Sequence, residues 1–183
     1  MNWINRNVVL LIAVLVVGST STALAHNLYV LIESKPGSAD GVDVIFEHSP
    51  YPGKGTYNAP LSERGKTWVV TADGKTVALP KLEEKQRLGK KFLQTQTESE
   101  GPRAVVHSCE WGVYKGRMDY FHGKYLDVEN TKQLDQLAAT KALPLDLVPK
   151  IQGGVLEVAV VKDGQPVTGG KIWVWSPDGK EIK

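Results

Sequence analysis

From Leu28 onward the apolar positions fall into short runs separated by clusters of Gly, Pro, Asp and Asn, the pattern of an antiparallel β-sandwich. The first predicted strands are Leu28–Glu33 (LYVLIE) and Val42–His48 (VDVIFEH). In the second, Val42, Val44 and Phe46 alternate with Asp43 and Glu47, and only Ile45 breaks the polarity. The stretch SPYPGKGTYNAP that follows is too rich in Pro and Gly for a helix or a central strand and reads as a long loop. Trp68–Thr71 and Thr76–Leu79 around Asp73-Gly74 predict a hairpin. Phe92–Thr97 and Ala104–Cys109, on either side of Glu100-Gly101-Pro102, predict another antiparallel pair, and Lys124–Val128 a shorter strand.

One helix is expected near residues 131–141. Asn130 or Thr131 caps it, Leu134, Leu137 and Ala138 form one buried stripe, and Pro144 ends it. Beyond Pro149, Val155–Val161 and Lys171–Trp175 (KIWVW) give a second, cleaner β pattern. The expected fold is mainly β, an immunoglobulin-like or transthyretin-like antiparallel sandwich with one short helix. Residues 26–143 make the N-terminal sandwich, and residues 144–183 open a second immunoglobulin-like module, either truncated or packed on the first.

The first 25 residues carry the three parts of a secretory signal peptide: Arg6, an apolar run from Val8 to Val17, and Ala23-Leu24-Ala25 as the small-x-small cleavage pattern. The run is ten residues, short of the roughly 20 a spanning helix needs. No Cys lies near the cleavage point, which argues against a lipid anchor. The expected location is periplasmic or secreted, and the expected mature N-terminus is His26. A terminal His presents its α-amine and its imidazole to one metal ion, and both groups titrate near neutrality.

Removal of residues 1–25 leaves 158 of the 183 residues and 21 basic against 20 acidic side chains, a balance that gives no footing for nucleic acid. The one cysteine, Cys109, excludes an intramolecular disulfide and is read as a small core residue. Of the four histidines, His26 and His48 belong to the first two strands, His107 reads as a neutral core residue, and His122 is a candidate third ligand. None has an H-x-x-H spacing, so a metal site has to be assembled by the fold. An all-nitrogen set of this kind suits Cu(II) or Ni(II) better than Ca or Mg. Trp68, Trp111, Trp173 and Trp175, with several Tyr, either fill the core or line a surface.

The stretch Leu143-Pro144-Leu145-Asp146-Leu147-Val148-Pro149, continued by VLEVAVVKDGQPVTGGKIWVW, resembles a hallmark of the NikM-like periplasmic family. The His-led first strand, HNLYV after a leader ending in Ala, is similar as well, while Glu47-His48 stands where that family often has Gly-His. Some NikM-like proteins capture substrate for nickel or cobalt uptake. The resemblance implies a divalent transition metal, nickel or cobalt, held by His26 and His48, and a membrane transporter component as partner; the all-nitrogen donor set adds Cu(II) as a candidate. The alternative is a structural or adhesive β-sandwich that binds no metal. An enzyme is not expected, because the chain has no G-x-S-x-G elbow and no glycine-rich phosphate loop.

Overall fold

The computed structural model describes residues 12–13, 26–34, 38–169, 172–175 and 181–182. The elements run β1 (Ile12–Ala13), β2 (Asn27–Glu33), β3 (Asp40–Glu47), α1 (Asn58–Arg64), β4 (Lys66–Thr71), β5 (Thr76–Ala78), β6 (Glu83–Arg87) and β7 (Lys90–Thr97). They continue with β8 (Arg103–Tyr114), β9 (Arg117–Asp127), α2 (Thr131–Leu137), β10 (Leu145–Gln152), β11 (Val155–Lys162), β12 (Gln165–Pro166), β13 (Trp173–Trp175) and β14 (Glu181–Ile182).

Two four-stranded antiparallel sheets, β2-β3-β7-β6 and β5-β4-β8-β9, form the sandwich, so the expected class holds. Period-two alternation explains why they pack. Leu28, Val30, Val42, Val44, Phe46 and Leu93 of the first sheet meet Val69, Val105 and Cys109 of the second in one buried cluster, closed by Leu61 and Leu82. At Gly123 the layers approach so closely that a Cβ would lie 2.9 Å from a Val30 methyl.

The outer face of the second sheet is covered by α2 and the start of β10. Val70, Ala104, Leu126, Leu134 and Leu137 form that second core. Asn130 caps α2, its side chain accepting from the Gln133 N–H at 3.0 Å. Strands β10, β11 and β12 form a separate sheet whose far end is exposed at Ile151, Val155 and Leu156. A further small sheet joins β1, β13 and β14. Of the expected signal segment only β1 is described; the cleavage pattern at Ala23–Ala25 lies outside the described residues. The side chains of Trp173 and Trp175, candidates for an aromatic surface, also lie outside them.

Several expectations need correction. The loop after β3 contains α1, because Pro60 sits in the first helical turn, where its missing N–H and fixed φ do no harm. Residues 92–97 and 104–109 do not pair with each other: β7 joins β3 and β6, whereas β8 joins β4 and β9. The turn at Gly101 (φ 75°) carries the chain from one sheet to the other. The helix near 131–141 is shorter than expected, ending at Leu137.

His107 lies fully buried between the sheets, opposite Gly123 and with Val105 and Cys109 on the same face. Its Nδ1 is 2.9 Å from the Thr67 hydroxyl. Burial, with the nearby His122 acting in the same direction, lowers its pKa to about 3. The ring is therefore neutral in the fold, while in the unfolded chain it titrates near 6.5. Its contribution to stability is whole above pH 6.5 and is lost as the pH falls toward 3, at up to about 1.4 kcal/mol per pH unit. Urea unfolding of His107→Met between pH 7.5 and 4.5 is expected to show a shallower loss of stability on acidification than wild type; an unchanged slope contradicts the assignment.

Candidate metal site at the end of the sandwich

The register of β2 on β3 builds this site. Leu28 faces Phe46 and Asn27 faces Glu47, so each pair of partner numbers sums alike, and one step further the ladder sets His26 opposite His48. Directly opposite residues share a face. His26 and His48 therefore extend the inward stripe of Leu28 and Phe46 to the rim, where His26 is half-buried and His48 exposed.

The two imidazoles have centroids 4.2 Å apart with planes inclined at 36°. Two imidazoles bound cis to one ion through metal–nitrogen bonds of about 2.0 Å have centroids about 4.4 Å apart, so the observed spacing fits a shared ion. Beneath them lies an aromatic floor. His26 stacks on Phe46 at 5.5 Å and meets the edge of Tyr57 at 4.7 Å. Phe46 in turn contacts Trp111 at 5.0 Å and Phe121 at 4.7 Å. Trp111 sits at a bulge in β8, and Arg64 donates to its carbonyl at 2.6 Å, tying α1 to the floor.

Glu47 places a charge beside the pair. Its carboxylate lies 4.0 Å from His26 Nε2. Desolvation moves the His26 pKa below its ordinary value, His48 pushes the same way, and Glu47 opposes both. The resulting preference for neutral imidazole leaves nitrogen lone pairs available to a metal.

His122 does not join this pair. It pairs with Ser108 across β8 and β9 on the outer face of the second sheet, its Nδ1 2.9 Å from the Ser108 hydroxyl. Burial lowers its pKa and Asp146 opposes that shift. Beside it Lys124 and Asp146 form a buried ion pair at 2.6 Å, and the space between has room for about one water molecule. That group ties β9 to β10 rather than admitting a ligand. Cys109 is buried in the core, and burial pushes its thiol pKa up to about 11. Among the described residues, no three His, Cys, Asp or Glu side chains converge in a geometry able to hold a metal.

Glu47, Tyr57, Trp111 and Phe121 surround the pair, and the sequence assigns none of them to it. Trp111 and the Tyr residues read only as core or surface aromatics, and Glu47 only as a replacement for Gly. Tyr57 and Trp111 come from the loop before α1 and from a bulge, neither of which has a periodic signature. Comparison of the chain with protein families, with curated proteins and with solved structures finds no match in any of the three.

Phe46 is the residue on which the floor rests, 7% exposed and in contact with His26, Tyr57, Trp111 and Phe121. Phe46→Ala is expected to cost about 3–5 kcal/mol in chemical denaturation. A loss below about 1 kcal/mol would show that the floor is not packed this way.

Proposed function

We propose that this is an exported protein that captures a divalent transition metal at its mature N-terminus and hands it on. The supporting observation is the 4.2 Å approach of the His26 and His48 rings at the paired ends of β2 and β3. With the leader removed after Ala25, the His26 α-amine would complete a three-nitrogen set that needs no further side chain. Nitrogen donors favour Cu(II) or Ni(II), with Co(II) weaker. The likeness of residues 143–175 to NikM-like proteins supports cargo capture in the periplasm, with a membrane transporter component as receiver. His48 is exposed, which suits an ion that must leave as well as arrive.

Titration calorimetry at pH 7.5 on chain beginning at His26 tests the reading. One Ni(II) or Cu(II) per chain is expected to bind, with affinity falling at least about tenfold in His26→Ala, in His48→Ala and in chain carrying one extra residue before His26. Equal binding by wild type and the extended chain would remove the terminal amine from the site and overturn the proposal.

A further inference from the structure

Glu47 is held in place by the loop that follows its own strand. Strand β3 pairs with β7 only as far as Val44 and Leu93. Beyond that point β7 takes a new partner: Gly53 exchanges two backbone hydrogen bonds with Lys91, at 3.1 and 2.8 Å. The displaced loop folds against the end of β3. The Lys54 N–H donates to Glu47 Oε1 at 3.0 Å, and a Cβ on Gly53 would lie 1.9 Å from that same oxygen. Only a glycine at 53 leaves room for the carboxylate where it stands. With Oε1 occupied, Oε2 is left toward His26 Nε2 at 4.0 Å, an ion-pair distance about 1 Å longer than a hydrogen bond.

This placement bears on which nitrogen of His26 takes the metal. An N-terminal histidine chelates through its amine and Nδ1, because those two atoms close a six-membered ring around the ion. Nε2 then points away and carries the proton. A carboxylate beside that N–H fixes the tautomer and makes the ligating nitrogen more basic. We infer that Glu47 is a positioning residue: its carboxylate, seated by Gly53 and Lys54, holds the His26 proton on Nε2 and so presents Nδ1, with the amine, to a divalent cation. The inference rests on the metal-capture reading for its purpose, but the proton's place is a property of the metal-free protein.

The test has two readouts. In metal-free chain starting at His26, nitrogen-15 NMR above pH 7.5 is expected to show His26 protonated at Nε2. Glu47→Ala should shift His26 toward a mixture of tautomers, and Glu47→Gln, whose single oxygen takes the Lys54 N–H and whose NH2 then faces Nε2, should not restore the wild-type form. Gly53→Ala, which displaces the carboxylate without removing it, should behave like Glu47→Ala. Ni(II) affinity should fall about 10- to 100-fold in Glu47→Ala, without recovery in Glu47→Gln. An Nδ1-protonated His26 in wild type overturns the inference, as does an unchanged tautomer in Glu47→Ala. Wild type that binds Ni(II) no better than Glu47→Ala does the same while leaving metal capture standing. Wild type with the expected tautomer but no metal binding would sink the capture reading and leave the positioning role intact.

Discussion

The pairing of β2 with β3 is the constraint from which both the core and the candidate site follow. One register places Val30 opposite Val44 and Leu28 opposite Phe46 on the inward face, and the same register carried two residues further sets His26 opposite His48. A slip by one residue would turn the apolar stripe of either strand to the other face. The hydrophobic core therefore locks the histidine pair: moving the rings apart along the strands would expose Val42 and Val44, which are fully buried. The proposed site, two side chains and the terminus that leader removal would create, needs such support, because a terminus is ordinarily mobile. Strand β2 begins one residue after His26 and would anchor it.

The rim is reinforced from three directions. The aromatic floor joins β3, β8, β9 and the loop before α1 through Phe46, Trp111, Phe121 and Tyr57. Arg64 fastens α1 to the β8 bulge, and the Gly53–Lys91 bridge fastens the loop after β3 to β7. These contacts limit the ways the His26 ring can turn, which is what a preorganised ligand set requires. The opposite face of the second sheet does different work. There Ser108 bonds His122, and Lys124 pairs with Asp146, in a polar seam against the start of β10. His107 and His122 lie almost side by side in the ladder, yet one serves the inner core and the other the seam.

How much of this could be read from residues alone follows from what kind of information each element carries. Strands β2, β3, β4 and β5 announce themselves by alternation and by the Asp73-Gly74 turn. Strand β6 does not, because EEKQR is an edge strand exposed at every position and has no apolar face to alternate. Strands β7 and β8 were visible as strands but not as members of different sheets, since periodicity says that a segment is extended and says nothing of its partner. For the site, the terminal His26 and the strand-end His48 were both legible. What was not legible was contact: the His26–His48 approach depends on register, Glu47 on a loop bridge, and the separation of His122 on the parity of its strand position.

The proposed function requires one ion shared by the ends of β2 and β3. An anomalous-difference map from crystals of chain beginning at His26, grown with one equivalent of Ni(II) and recorded at the nickel edge, addresses that directly. A single peak bonded to the His26 amine, His26 Nδ1 and the His48 imidazole is the predicted result. A peak at His122, or a peak that includes His48 without His26, would contradict it.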